Sequence, residues 1–403
     1  MIQRPMKIAI VTEYYYPTLG GIQEHIHHFA VAARRLGHDV RIITPAVDDG
    51  LASIAKHGGP QNEIHRRWAE EDGVIRIGRS LPFLSGGSLA RASFGFGISR
   101  RLKEILRAER FDILHLHSPL MPTLPLAALR VSDTINVGTF HSAIGRSLLL
   151  KVLAPLLQRY VDCLDVAIGV SETALRALQR TFVADWRIVP NGVDVPAFAA
   201  GRRRREFDDG RFNVLHVGRF DPRNGVDRVI TAWVGVRRAG IDARLVLVGD
   251  GPLRERYQAM VPADLRADAH FAGFVPGSER ASYYASGDVL LCPAVGGTFG
   301  IIALEAMAAG CAVVVADTPG FRTIIQDRVQ GFMVDVARDL DCRELAERTG
   351  KLLTDTVTRR RYAEAGRRRA AEFDWPQVTQ QVLRIYEELL AKGGLTARED
   401  ANP

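Results

Sequence analysis

The chain has 403 residues, of which 47% are hydrophobic and 25% charged, a composition typical of a soluble globular protein. This length exceeds one comfortable core and suits two α/β domains. The sequence has no run of about 18 apolar residues and no signal-peptide h-region at its N-terminus, so we expect no membrane-spanning helix and a cytoplasmic location. A formal net charge of +7 indicates either anionic partners or a basic surface without a specific partner.

Two halves of the chain repeat one pattern of short apolar strands and amphipathic helices. The first half predicts a strand at 7–12, a helix at about 23–36 and a second strand at 39–43. The second half begins with an apolar run at 212–217 and continues with a strand at 243–248. This alternation indicates parallel sheets built from βαβ units, and hence an α/β fold of two domains with a cleft between them.

The domain boundaries follow from the punctuation of the sequence. Pro190 and Asn191-Gly192 interrupt the pattern, so we predict a first domain at 1–188 and a second at 189–376. A helix predicted at 377–392 returns to close the first domain. The tail after Gly393 has the composition of a disordered segment.

Two features at predicted strand ends suit phosphate. Gly20-Gly21 lies between the first strand and the first helix, where free backbone amides and the helix dipole favour an anion, although a merely tight turn is an equal alternative. The glycines do not form the GxGxxG fingerprint of dinucleotide oxidoreductases. Arg219 follows the first strand of the second half, where it pairs either with a pyrophosphate or with a surface carboxylate. Asp250 ends a later strand at a turn.

One segment is specific to a family. The run TFGIIALEAMAAG at 298–310, followed by DTPG at 317–320, resembles the donor-site motif of family 4 glycosyltransferases. The resemblance extends to GTFH at 138–141, PNGVD at 190–194 and Gly218-Arg219. Within that family the pattern is most similar to the phosphatidylinositol mannosyltransferases.

This resemblance implies the GT-B fold, in which two Rossmann-like domains with parallel sheets face each other across a deep interdomain cleft. The first domain would bind the acceptor and the second the nucleotide sugar. The implied reaction is the retaining transfer of a hexose, mannose from GDP-mannose in the first instance, to a lipid or membrane-linked glycan. The family needs no metal, so we expect no cofactor and no metal site.

The resemblance also implies roles for individual residues. His141 would contact the donor sugar and help to place the acceptor, and Arg219 would neutralise the departing diphosphate. Glu305 would accept hydrogen bonds from the ribose, or else only complement the dipole of its helix. The predicted donor-binding residues are Gly20, Gly21, Arg223, Asn224, Asp250, Gly273, Phe274, Val275, Phe299, Gly300, Ile301, Ile302 and Glu305.

The remaining histidines and the cysteines do not suggest a metal centre. His25, His27 and His28 lack metal-ligand spacing with a carboxylate, so we expect partly exposed helix residues. His115 and His117 share one strand face, His115 for packing and His117 as a residue that lines the cleft. The four cysteines share no close spacing, which predicts free thiols: Cys163, Cys292, Cys311 and Cys342.

Two positions depart from the family pattern. Gly297 stands where the family has a glutamate eight residues before the one matching Glu305, and Asn224 replaces a lysine. Each loss removes a charged contact worth about 1.5–3 kcal/mol, although Arg223 could supply the missing positive charge. The alternative function is therefore a weakened or inactive relative that only binds nucleotide sugars.

A cationic amphipathic segment suggests a lipid surface. Residues 98–107 read as a helix with Arg100, Arg101 and Lys103 on its polar face. The mannosyltransferases that the chain resembles use a basic helix nearby to dock on anionic lipid, whereas an ordinary solvated helix is the alternative. The sequence lacks the interleaved aromatic residues of nucleic-acid proteins, so we expect no nucleic-acid partner.

Overall fold

The structure is a computed structural model that describes residues 4–16, 21–46, 73–85, 88–94, 97–121, 123–141, 148–275, 277–295 and 299–393. The chain forms two compact units. Unit 1 contains both chain ends and is divided from unit 2 after Pro190 and before Trp375. The predicted division after residue 188 lies close to the first of these points.

Unit 1 is built around one sheet with the strand order β4-β3-β2-β1-β5-β6-β7-β8. Its strands are β1 (Lys7–Val11), β2 (Asp39–Ala46), β3 (Val74–Ser85), β4 (Ser88–Phe94), β5 (Ile113–His117), β6 (Ile135–Phe140), β7 (Val166–Gly169) and β8 (Trp186–Ile188). All neighbours pair in parallel except β3 and β4, which form an antiparallel edge. The predicted parallel sheet is therefore observed, with one antiparallel strand, β4, added at its edge.

Five helices of unit 1 follow its strands in the βαβ manner: α1 (Gly21–Arg35), α2 (Ile98–Glu109), α3 (Leu124–Val131), α4 (Leu148–Val161) and α5 (Glu172–Gln179). Helix α1 buries Ile26, Phe29 and Ala33, which recur at helical spacing, against the sheet. Gly37, with φ of +90°, ends the turn that follows α1.

Unit 2 contains a parallel sheet with the strand order β11-β10-β9-β12-β13-β14. Its strands are β9 (Phe212–Val217), β10 (Ala243–Val248), β11 (Ala269–Gly273), β12 (Val289–Cys292), β13 (Ala312–Ala316) and β14 (Gly331–Val334). Its helices are α6 (Val195–Ala199), α7 (Val226–Arg238), α8 (Arg254–Met260), α9 (Gly277–Ser286), α10 (Ile301–Ala309), α11 (Pro319–Arg322), α12 (Arg343–Thr354) and α13 (Thr356–Ala371). Nearly every residue of β10 and β13 is buried, as expected for strands covered on both faces.

The strand order reverses once in each sheet. β1 lies between β2 and β5, and β9 lies between β10 and β12. In an open α/β sheet ligands bind outside the carboxyl ends of the strands at such a switch point. The α/β fold with two Rossmann-like domains, predicted from the sequence, is confirmed.

The last helix, α14 (Trp375–Ala391), belongs to unit 1 although it follows unit 2 in the chain. It packs on α1 and buries Val378, Val382 and Tyr386 in the same core. Within the described part of the chain, no helix is both long enough and apolar enough to span a bilayer.

Candidate active site

Two histidines meet at the switch point of unit 1. His117 is the last residue of β5, and His141 directly follows β6, the neighbouring strand. Because both strands are parallel and end at the same edge, their side chains converge: His117 Nδ1 lies 2.7 Å from His141 Nε2. His117 is buried and His141 is partly exposed.

A third histidine completes this group from the opposite element. His25, in the second turn of α1, places its ring centroid 4.9 Å from that of His141 and 5.5 Å from that of His117. Trp375, the first residue of α14, packs edge-on against His25 at 5.1 Å. We call His25, His117 and His141 the histidine cluster. The strand ends of unit 1 and two helices thus bring together three imidazoles.

The expectation of partly exposed histidines on α1 is wrong for two of the three. His25 and His27 are only 7% and 6% exposed, whereas His28 is half-buried and stacks on Trp375. The signal was available, because His25 shares the apolar helix face of Ile22, Ile26 and Phe29 by the three-to-four spacing. That face points to the sheet, not to solvent.

Burial keeps the imidazoles of the sheet side uncharged. Desolvation, followed by the neighbouring histidines, holds the pKa of His117 and the pKa of His141 well below the usual 6.5. His115, two residues before His117 on β5, is also buried, and its side chain is hydrogen-bonded to Thr139 and Tyr386. Burial lowers the pKa of His115 to about 3. His115 therefore has the packing role that its strand position predicted.

The histidine cluster is also the candidate metal site among the described residues. One ring nitrogen from each histidine lies within 4.8 Å of the others, and neutral imidazole is a good ligand for zinc. Tetrahedral zinc at about 2.05 Å from each nitrogen separates its ligands by about 3.3 Å. The His117 and His141 nitrogens at 2.7 Å are bonded to each other, so a metal would have to break that bond. The absence of a metal stays a prediction.

In unit 2 the predicted donor residues lie at the carboxyl ends of adjacent strands. Gly218-Arg219 follows β9, Gly249-Asp250 follows β10, and Gly273 ends β11. The backbones after the three strands are bonded to one another: Gly218 N–H donates to Val248 O and Gly249 N–H to Gly273 O. A Cβ at Gly249 would lie 1.8 Å from the Gly218 carbonyl oxygen, so glycine is required here.

Arg219 is exposed, and none of the ion pairs found among the described residues involves it. Its carbonyl accepts a 2.7 Å hydrogen bond from the side-chain amide of Asn224. Asn224 thus holds the loop after β9 in place and brings no charge. Arg223 is exposed too and lies 3.4 Å from Asp221.

The loop after β12 lies beside the loop after β9, because Val295 N–H donates to Arg223 O at 3.1 Å. Helix α10 then begins directly after Gly300, whose φ of +86° only glycine adopts readily, and no described side chain caps the helix. A Cβ on Gly300 would also lie 2.6 Å from the Phe321 ring. The first amides of α10, from Ile301 and Ile302, therefore carry the positive end of the helix dipole. Phe299 is buried and packs on Phe373.

Glu305 occupies the second turn of α10 and is only 4% exposed. Its Oε2 accepts a 2.6 Å hydrogen bond from the Tyr284 hydroxyl, and Arg280 Nη2 lies 3.6 Å from its Oε1. Both partners come from α9. Burial beside this carboxylate raises the pKa of Tyr284 well above its usual 10. Sequence reasoning placed Glu305 on the right helix but did not foresee these partners.

The other predicted donor residues divide by exposure. Phe274 is half-exposed, whereas Val275 is buried in the core of unit 2. Asp250 accepts a bond from Gly251 N–H and lies 3.6 Å from Arg254. Gly21 is exposed at the start of α1. Gly20 and Gly297 lie outside the described residues.

Both halves of the chain match profiles of known protein families. The profile described as Glycosyltransferase Family 4 matches residues 19–196, and that described as Glycosyl transferases group 1 matches 198–369. The chain is 34% identical over 392 residues to a phosphatidyl-myo-inositol mannosyltransferase of Mycobacterium tuberculosis H37Rv, covering 96% of this chain and 98% of that protein. This chain is a family 4 glycosyltransferase.

Other relatives agree with this assignment. A GDP-mannose-dependent alpha-mannosyltransferase of Mycolicibacterium smegmatis is 29% identical to this chain over 407 residues. The match covers 97% of this chain and all of the relative. A glycosyltransferase structure from Rickettsia africae superposes with a TM-score of 0.75 at 16% identity, covering 96% and 99% of the two chains. The similarity to the phosphatidylinositol mannosyltransferases predicted from the motifs is confirmed.

Proposed function

We propose that this glycosyltransferase transfers a hexose, mannose from GDP-mannose, to a lipid or membrane-linked glycan with retention of configuration and without a metal ion. The observation that carries the proposal is the carboxyl edge of the unit 2 sheet. There Arg219 is exposed and forms no ion pair with a described residue, and no described side chain caps the start of α10, which follows the neighbouring strand. The relatives named above, which are mannosyltransferases, support mannose as the sugar.

The chemistry needs positive charge where the donor breaks. When the bond between the sugar and the diphosphate lengthens, negative charge develops on the departing oxygens. The Arg219 guanidinium can form two parallel hydrogen bonds to such an anion, and the amides of Ile301 and Ile302 add a fixed dipole. The acceptor hydroxyl forms the new bond to the sugar on the same face, and its proton passes to the departing diphosphate oxygen. The resemblance to the family suggests His141 as the polar contact for the transferred sugar.

The first experiment measures the release of nucleoside diphosphate from GDP-mannose and from other nucleotide sugars. Phosphatidylinositol in vesicles serves as the acceptor. Arg219→Ala and His141→Ala should each lower kcat/KM at least about tenfold, equal to about 1.4 kcal/mol of transition-state stabilisation. The matched control is Arg238→Ala, which removes an exposed arginine paired with Asp264 at the far end of α7. Wild-type turnover in both test variants would refute the proposed site.

We also propose that α2 docks the enzyme on anionic lipid. Leu102 and Leu106 are buried against unit 1, while Arg101 and Lys103 are exposed and flank this buried face on its two sides. Arg100 is exposed as well and lies 3.0 Å from Glu104. Exposed cations beside a helix face that is anchored in the protein suit a helix that binds acidic head groups.

The lipid proposal is tested by sedimentation with anionic and neutral vesicles. The wild type should sediment with anionic vesicles, and Arg101→Glu/Lys103→Glu should recover much less protein. The matched control reverses two exposed arginines of α13, Arg360→Glu/Arg361→Glu, with the same change in net charge. Equal recovery with both vesicle types, or an equal loss in the control, would refute docking through α2.

The second candidate function is a nucleotide-sugar-binding relative without turnover. The observation that favours it is Asn224, whose side chain is bonded to the Arg219 carbonyl where the family has a cation. A rise in melting temperature with nucleotide sugars, without release of nucleoside diphosphate from any of them, would support this candidate over the first.

A further inference from the structure

The two inner members of the histidine cluster are bonded edge to edge. His117 Nδ1 and His141 Nε2 lie 2.7 Å apart, and the ring planes differ by only 16°. A hydrogen bond between two ring nitrogens requires that one carries the proton and the other a lone pair. Two arrangements are therefore available, and they give His141 opposite properties.

The surroundings of His117 distinguish the two arrangements. His117 is 1% exposed, and its Nε2 has no hydrogen-bond partner among the described residues. A proton on Nε2 would leave a buried N–H unsatisfied, which costs about 1–3 kcal/mol. A proton on Nδ1 leaves only a buried lone pair, and unsatisfied acceptors are tolerated better than unsatisfied N–H donors. His117 therefore donates from Nδ1.

The position of the proton on His117 determines the position of the proton on His141. Its Nε2 accepts the bond from His117, so its own proton resides on Nδ1. His141 is partly exposed, and its Nδ1 forms no hydrogen bond to another described residue. His141 consequently offers an N–H to a ligand, and its one lone pair is already used.

We propose that His117 is a positioning residue that fixes His141 in the Nδ1–H tautomer, so that His141 is a hydrogen-bond donor to an oxygen of the transferred hexose and not a general base. This inference rests on the proposed function, because a sugar must be present to receive the bond. His25, packed edge-on against both rings, restricts the tilt of the pair.

The first test observes the tautomer without any reaction. The full chain is labelled with ¹⁵N-histidine, and two-bond ¹H–¹⁵N correlations distinguish Nδ1–H from Nε2–H rings. Signals of His141 and His117 are assigned by their loss in His141→Gln and His117→Asn. We expect the Nδ1–H pattern for both residues in the wild type. An Nε2–H pattern for His141 would overturn the inference.

The second test uses three side chains of one branched shape at position 117. Asparagine can donate from an amide near the position of Nδ1, leucine can neither donate nor accept, and aspartate can only accept. His117→Asn should retain kcat within about threefold, whereas His117→Leu and His117→Asp should lower it about tenfold with little change in KM for the nucleotide sugar. The aspartate variant should also show His141 with its proton on Nε2.

Two outcomes would count against the proposal in different ways, and one variant is excluded if it does not fold. Equal kcat for the asparagine and aspartate variants would show that the direction of the bond is irrelevant and overturn the positioning role. A leucine variant that melts far below the wild type is set aside, and the asparagine–aspartate comparison decides. An Nδ1–H His141 in a protein that turns over no nucleotide sugar would refute the proposed function, and with it the role in transfer, while the tautomer stands.

Discussion

Acidification should selectively destabilise the strand that positions Arg219. His216 lies in β9, is 1% exposed, and its Nδ1 lies 3.0 Å from Leu291 O. Burial lowers the pKa of His216 to about 4 in the folded chain, against 6.5 for an exposed imidazole. Because the unfolded chain binds the proton more tightly, the contribution of His216 is fully present above pH 6.5 and is lost as the pH falls toward 4.

The magnitude follows from the two pKa values. Each pKa unit corresponds to about 1.4 kcal/mol, so the interval from 6.5 to about 4 is worth about 3 kcal/mol of the free energy of unfolding. His216→Asn keeps an amide donor near the position of Nδ1 and removes the titration. The free energy of unfolding of the wild type relative to that of the variant should therefore fall by about 3 kcal/mol between pH 7 and pH 4.

The assay must report on unit 2 alone, because two units need not unfold together. Trp233 is fully buried in unit 2, with its indole N–H bonded to Ala243 O at 2.9 Å. Its ¹⁹F resonance in protein labelled with 5-fluorotryptophan, assigned with Trp233→Phe, can be followed through urea titrations at several pH values. Parallel pH profiles for wild type and His216→Asn would refute the reasoning.

Two further predictions concern the departures from the family pattern and the metal. Restoring both family residues, Gly297→Glu with Asn224→Lys, should change the preference among competing nucleotide sugars, since a carboxylate for sugar hydroxyls and a cation for the pyrophosphate are added. A silent wild type with an active double variant would instead indicate a degenerate site. If Arg219 and backbone amides meet the phosphate charge as proposed, treatment with EDTA should leave turnover unchanged; a loss of activity that zinc restores would show that the enzyme needs an ion.

The periodicity of apolar residues predicted the strands and helices that depend on residues close together in the sequence. The strand expected at 243–248 is β10, and the helix expected at about 23–36 is α1 within two residues of its start. The β3–β4 hairpin was missed although two apolar runs flank Gly86-Gly87, which is a hairpin signal. Attention to glycine pairs between strands would have found it.

Contacts that depend on the order of the strands could not be predicted from the sequence. The bond between His117 and His141 depends on β5 and β6 being adjacent with His117 opposite Thr139, and nothing local specifies that register. Likewise Tyr284 and Arg280 reach Glu305 only because α9 packs on α10. Resemblance to a family identified which residues matter, whereas tertiary packing decided what each of them touches.

The return of α14 to unit 1 makes the order of synthesis matter. A ribosome releases the strands and helices up to Pro190 long before Trp375, which covers His25, and Tyr386, whose hydroxyl bonds to His115 at 2.5 Å. During that interval the face of α1 that packs on these residues lacks its contact with α14. Unit 1, although made first, is completed last, so a nascent or truncated chain ending before α14 exposes an apolar surface that a holding chaperone would recognise.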